Sequence, residues 1–351
     1  MTAENSATSH TTIAVGEGDT DRGDRGEGDD PEGRDGRSDR DDQDGRGNRG
    51  TLLAALGIVA FSLTFPSTAW GLESFGPWSL VAVRSVLAAL LAGGCLLALR
   101  VPVPERRHRG GLVVVAAGVV VGFPLLTSLA LETSTTSHAA VVVGLLPLTT
   151  AAFAAVRTGR RPSRTFWAAA VAGAAVVIAF TVGQSGGALS TGDLYLFGAL
   201  LVCAAGYTEG GRLAREMPGW QVIGWALVGA LPLSLAGGAV ALSFEPVRLT
   251  AHGVIGVVWV ALVSTFFGLY VWYRGMAEIG IARASQLQLA QPVLTLVWSV
   301  LLLGEHLTPA APVAAVAVLV CIAVTQRAAT RRRGPREAPR PAGAPGSARQ
   351  P

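Results

Sequence analysis

The 351-residue chain contains no lysine, only three cysteines, and only 24 charged residues across residues 52–327. Without lysine every basic residue is an arginine, a bias of genomic base composition from which no function is drawn. Cys95, Cys203 and Cys321 stand far apart, each inside an apolar run. A thiol there behaves as a small hydrophobe, so neither a disulfide framework nor a metal site follows. The central charge density, about one residue in twelve against about a quarter in soluble domains, excludes a soluble globular protein.

The charge that is present sits mostly outside this body. Residues 1–51 carry 14 acids and 7 arginines, and residues 328–351 carry 6 arginines and one acid. The net charge of +4 therefore conceals opposite blocks and implies no nucleic-acid partner. Residues 16–50 alternate Gly, Asp and Arg and lack the apolar stretch of about 7–15 residues that a secretory signal needs. Both ends, 1–51 and 328–351, are expected to be disordered cytoplasmic tails, because such compositions bury too little apolar surface to offset chain entropy.

A hydrocarbon core about 30 Å thick needs about 20 apolar helical residues to cross it. The body breaks into ten such segments: 52–70, 77–99, 111–131, 138–156, 166–184, 192–211, 220–243, 253–273, 284–303 and 309–326. Many are rich in Ala, Gly, Val and Leu, with little amphipathic periodicity, as helices bounded by lipid and by other helices should be. Their glycines read as close-packing surfaces, not as phosphate loops.

Cytoplasmic loops of membrane proteins carry the basic excess, and here the arginines alternate from loop to loop. Arg100, Arg106, Arg107 and Arg109 follow the second segment, Arg157, Arg160, Arg161 and Arg164 the fourth, Arg212 and Arg215 the sixth, and Arg274 and Arg283 the eighth. The opposite loops together hold only Arg248. Both termini are thus expected on the cytoplasmic side of a plasma-membrane protein.

A shift of 145 residues lays segments four and five on segments nine and ten without a gap. Ala139 falls on Ala284, Pro147 on Pro292, Thr150 on Thr295, Gly159 on Gly304, and Ala170 to Ala172 on Ala315 to Ala317. A repeat unit of five crossings, an odd number, places its second copy in the opposite sense, an architecture found in many secondary transporters. The expected fold is an all-α integral membrane protein of ten transmembrane helices in two inverted five-helix repeats, 52–184 and 192–327.

Three features also resemble a known family. The first segment ends Phe-Ser-Leu-Thr-Phe-Pro (61–66), an arginine (Arg84) lies in the second, and Ala284-Ser285-Gln286-Leu287-Gln288-Leu289-Ala290-Gln291-Pro292 precedes Leu303-Gly304-Glu305-His306-Leu307-Thr308. Over residues 52–327 the chain resembles the EamA-type members of the drug/metabolite transporter superfamily. Where the second repeat has Glu305 the first has Arg160, so that acid occurs once. The resemblance implies a transporter, commonly an exporter of metabolites, amino acids or drugs, and leaves the solute open.

Polar groups inside a bilayer are costly and mark functional candidates. Arg84 lies seven residues after Pro77, about 10 Å into the membrane at 1.5 Å per residue. It could snorkel to the outer surface, attract an anionic group of a solute, or pair with carbonyls or a carboxylate. Pro147 and Pro292 fall near the midplane, are expected to kink their helices and free carbonyls, and should face each other across a pseudo-twofold axis. Gln288 and Gln291, three apart, share a helix face and suit either a neutral or zwitterionic solute or interhelical hydrogen bonding.

Tyr207 and Tyr270 could wall the cavity, while Trp272 and Tyr273, beside Arg274, read as an interfacial belt. Glu132, His138 and Glu209 are the candidates for a coupling ion, although Glu209 with Arg212 reads most simply as a surface pair. Glu305 reads as a helix-terminus and loop-closing residue. The partners expected are a small-molecule solute, lipid and a coupling ion, with no cofactor; the oligomeric state is not readable. An integral-membrane enzyme would need a convergent catalytic cluster, and the five scattered histidines show no such motif. A non-transporting helical bundle would need neither an inverted repeat nor polar midplane residues. No ATP-binding loop is present, which favours a secondary mechanism.

Overall fold

The structure is a computed structural model that describes residues 48–159, 163–279 and 287–331. The expected tails lie almost wholly outside these residues, as do Arg160, Arg161, Arg283 and Gln286. Among the described residues every regular element is helical. Among these residues eight helices are long and apolar enough to cross a bilayer: α1 (Asn48–Leu72), α2 (Pro77–Ala98), α3 (Arg106–Leu131), α4 (Thr136–Thr158), α5 (Arg164–Gln184), α6 (Thr191–Leu213), α7 (Gly219–Phe244) and α8 (Ala251–Met276). Two further helices, α9 (Ala290–Leu303) and α10 (Ala310–Arg331), occupy the ninth and tenth apolar segments. The expected start of the ninth segment falls on residues outside the described set, so its apolar helix has 14 residues.

Local chemistry sets the ends. The hydroxyls of Thr135, Ser163, Ser190 and Thr250 each accept a backbone N–H at the start of a helix, satisfying donors that have no intrahelical partner. Gly159 and Gly304 end α4 and α9 in the left-handed conformation, at φ +64° and +65°, where glycine carries no Cβ penalty.

Several irregularities recur at the same 145-residue shift. α4 is interrupted at Gly144–Leu145, and α9 is preceded by a turn at Leu289. α3 carries a π-helical stretch at Ala116–Gly122 and α8 one at Trp259–Phe267. The expected kinks at the prolines are corrected in detail: the chain breaks before them. Pro147 sits in the first turn of the restarted helix Leu146–Thr158 and Pro292 in the first turn of α9. A missing N–H removes no helix bond in a first turn.

The helices pack as α2 on α7, α5 on α10, α1 on α8, α3 on α6, and α4 on both α6 and α9. Small residues permit the closest approaches. A Cβ on Gly118 would lie 2.3 Å from the carbonyl oxygen of Val202 on α6, and one on Gly256 would lie 2.3 Å from that of Ser67 on α1. Trp272, expected at the interface, is instead buried at 9% exposure and packs with Ala54 and Ile58 of α1. The helix runs on past it to Ile279, which keeps the indole inside the bundle; the Tyr273 side chain lies outside the described set.

Candidate functional site

A seam of polar side chains crosses the apolar bundle where its helices are irregular. α1 is interrupted by a turn at Leu63, and Pro66, lacking an N–H, leaves the carbonyl of Ser62 without its usual helical donor. The hydroxyl of Thr295 on α9 fills that vacancy, donating to the Ser62 carbonyl at 2.9 Å. Trp298, one turn further along α9, donates its indole N–H to Ser62 Oγ at 2.9 Å.

The π-helical stretch of α8 supplies the next partners. Ser264 Oγ donates to the Ala60 carbonyl at 2.9 Å, which leaves Thr64 as donor in its 2.5 Å contact with Ser264. Thr265 Oγ1 donates to the Val260 carbonyl at 2.6 Å and accepts from Arg84 Nη2 at 3.2 Å. Hydroxyls thus link α9, α1, α8 and α2 in order. π-Helical insertions are common at functional sites because they re-aim side chains and loosen backbone acceptors.

Of the residues singled out from the sequence, the structure brings Arg84 and Gln291 to this seam. Arg84 is half-buried, and the Gln291 carbonyl accepts a second bond of the Thr295 hydroxyl at 3.0 Å. Pro292 is half-buried beside it, whereas Gln288 and Pro147 are exposed on their helices. Tyr207 is 47% exposed on α6. Tyr270 lines a separate cavity of about 280 Å3 with Pro218, Gly219, Trp220 and Arg274, and its hydroxyl accepts from Arg274 at 3.2 Å. Ser62, Thr64, Ser264, Thr265, Thr295 and Trp298 were not among the expected site residues; Pro66, which closes the 61–66 stretch noted above, was the available signal.

One end of the bundle is acidic. Buried His138 on α4 meets Asp193 on α6 at 2.6 Å and stacks on Phe180. Asp193 also accepts from the hydroxyl of Ser185 and from the backbone and hydroxyl of Ser190, each at 2.8 Å. Glu132, six residues before His138 in sequence, is exposed. Glu245, after α7, accepts from the Ser79 backbone and hydroxyl at the start of α2, at 2.8 and 2.6 Å. Glu305, after α9, accepts from the backbone of Thr136 and Ser137 at the start of α4, at 2.7 and 2.9 Å. Each carboxylate meets the positive end of a helix dipole.

The opposite end is held by arginines. Glu209 on α6, read above as one half of a surface pair, is buried and bonds both Arg157 of α4 and Arg212, at 2.8 and 2.7 Å. The side chain is covered by α3, where the absence of a side chain on Gly111 makes room for the carboxylate: a Cβ there would lie 2.9 Å from Glu209 Oε1. Arg212 continues to Glu216 at 3.2 Å, and Glu216 to buried His108 at 2.7 Å. The hydrogen bond from His108 holds the Glu216 carboxyl below its ordinary value. Among the described residues no group of three His, Cys, Asp or Glu side chains converges as metal ligands would.

The model of the EamA-like transporter family matches the chain twice, over residues 48–182 and 190–326. The chain belongs to that family. It is also 42% identical over 275 residues, 78% of this chain and 95% of the relative, to the uncharacterized transporter YdeK of Bacillus subtilis (strain 168). A solved structure described as "Crystal structure of protein" has a TM-score of 0.57 at 20% identity, covering 81% of this chain and 99% of that one, which shows a shared fold. This EamA-like chain is a multi-pass membrane transporter, and the polar seam lies inside its helical body.

Proposed function

We propose that the protein is a secondary transporter that exports small metabolites, amino acids or drugs by alternating access, with the solute bound at the seam between two inverted five-helix halves. The observation that carries this reading is the placing of polar groups at helix interruptions in an otherwise apolar bundle. Irregular backbone is tolerated at membrane depth where protein or a cavity covers it, and transporters of this architecture bind solute at broken helices.

The packing supports the two halves. Exchanging α1–α5 with α6–α10 turns the α1–α8 contact into the α6–α3 contact and leaves α2–α7, α5–α10 and α4–α9 unchanged, and all of these pairs are present. The recurrence of the π-helical stretches and of the left-handed Gly159 and Gly304 at one spacing supports it again. The arginine-rich end then faces the cytoplasm of a plasma-membrane protein, both termini lie inside, and the acidic end faces out. Opening to either side requires the ties between halves at that end to part in turn.

Three residues compete as the coupling group. Glu132 is exposed and Glu209 is neutralised by two arginines, so His138, paired with Asp193 between the halves, is favoured. Purified protein in sealed vesicles, loaded with a mixture of amino acids and small metabolites, tests the reading: efflux of at least one solute above that of empty vesicles is expected. Turnover of a solute without its translocation would sink it in favour of an enzyme.

A further inference from the structure

We infer that the transported solute carries an oxyanion, a carboxylate above all, and that Arg84 is its receptor; this rests on the transport reading above. Arg84 stands seven residues into α2, about 10 Å from that helix end. A guanidinium has five N–H donors, and the hydrogen bond described for it reaches only the neutral hydroxyl of Thr265. A charge at this depth is tolerated when it is paired. The pairing is not supplied by the surrounding helices.

α2 packs on α1, α3, α7 and α8, and residues 48–72, 106–131, 219–244 and 251–276 contain no Asp or Glu. Among the described residues no carboxylate lies within 4.0 Å of Arg84, whereas Arg157, Arg212, Arg107 and Arg274 each have one. Glu245 meets α2 itself, but at Ser79, about 7 Å along the axis from Arg84, where it is committed to the helix start. The guanidinium is therefore a positive charge whose counter-ion comes from outside the protein fold. A planar fork of donors matches a carboxylate or phosphate oxyanion with two parallel bonds.

The site is also one-sided. The shift of 145 residues puts Gly229 at the position of Arg84 and Val120 at that of Thr265, and around Val120 the packing is apolar, with Ala88, Leu112 and Leu227 in one buried cluster. The seam hydroxyls lie on the other side, on α1, α8 and α9, beside Gln291. A solute with its anionic end on Arg84 has neutral hydrogen-bonding groups for its remainder, the pattern an amino acid or hydroxy acid needs.

The oxyanion could also come from a lipid headgroup, and the test separates the two sources. Full-length protein in sealed phosphatidylcholine vesicles is assayed with free amino acids and short monocarboxylates, each against its carboxamide. The expected result is flux of at least one carboxylate with its carboxamide at least tenfold poorer, and at least a tenfold loss for Arg84→Gln at an unchanged melting temperature. Thr265→Val, which leaves the charge in place, should raise KM for the same solute and spare the maximal rate. Wild-type flux confined to solutes without an anionic group overturns the inference and leaves transport standing. Flux of nothing in the panel overturns this inference, and the transport reading falls with it only if the mixture of amino acids and small metabolites shows no efflux either. If Arg84→Gln slows charged and neutral solutes equally, and phosphatidylglycerol stabilises the wild type but not the variant, the anion is a lipid phosphate and the inference falls.

Discussion

The imidazole of His138 and the carboxylate of Asp193 meet at 2.6 Å across the junction of α4 and α6, with both side chains withdrawn from solvent. Asp193 does two jobs. It completes the capping box that starts α6 and fixes the ring that stacks on Phe180. Removing one member of such a buried pair strands the other, at a cost of about 3–5 kcal/mol.

Asp193→Ala should therefore lower the melting temperature by about 6–20 °C or abolish expression, whereas Asp193→Asn, which keeps the volume and most of the hydrogen bonds, should fold. If the pair carries the coupling proton, Asp193→Asn exchanges solute across the membrane but no longer accumulates it under an imposed proton gradient. Accumulation equal to wild type, at a lowered melting temperature, would assign His138 and Asp193 to structure alone.

Glu245 and Glu305 reach from the ends of α7 and α9 to cap α2 and α4, in each case joining the two halves at the acidic end. Losing a cap costs about 0.5–2 kcal/mol, too little to unfold the bundle but enough to shift an equilibrium between two openings by about a factor of 2 to 30. Glu245→Gln with Glu305→Gln should raise labelling of a cysteine placed at Ser62 by an impermeant reagent added on that side. Unchanged labelling with a normal melting temperature would show that these contacts do not hold the end closed.

Much of this architecture was readable beforehand because a bilayer leaves so few options. A segment without water to satisfy its backbone must be helical, so apolar length alone located α1 to α8. The interruptions were signalled by Pro147 and Pro292 yet misplaced, because proline is most comfortable one turn after a break. Arg84 stood out as a charge in an apolar run. Thr265 and Ser264 did not, since hydroxyls in membrane helices usually satisfy themselves on a carbonyl one turn back, as Thr68 and Thr208 do here. Only their position on a π-helical stretch distinguishes them, and no residue pattern announces that geometry. Trp272 misled because a tryptophan beside an arginine describes a membrane interface and a helix-helix contact equally well.

Glu216 gives the arginine-rich end a defined response to acid. Its carboxyl titrates below the ordinary 4.5, chiefly because His108 bonds its charged form. A depressed folded value means that the unfolded chain takes up the proton first, so the contribution is present above pH 4.5 and lost as pH falls through the folded value. Glu216→Gln should melt below wild type at pH 7, and the difference should shrink progressively as the pH is taken down from 4.5. A gap that persists undiminished at low pH would remove the charge on Glu216 as its cause.

Gln291 is where the seam and the helix break coincide. It sits half-buried between the turn at Leu289 and Pro292, and its own carbonyl is held by Thr295, which also binds the freed carbonyl of Ser62. The backbone around the amide is thus tied to α1 by other groups, and the side chain is spare for a solute. Gln288, exposed on the far side of the turn, lacks that setting. Replacing a solute-bonding amide by Leu leaves a polar group of the solute unpaired, at about 1–3 kcal/mol, which is roughly a 5- to 150-fold loss of affinity. The same change in an amide that only joins helices would appear in stability. Gln291→Leu should therefore raise the KM for the transported solute within that range at a melting temperature near wild type, and Gln288→Leu should leave the melting temperature near wild type and change KM by no more than about twofold, well under the 1.4 kcal/mol that separates decades. A lowered melting temperature with unchanged KM for Gln291→Leu would make it part of the helix packing and move the solute elsewhere along the seam.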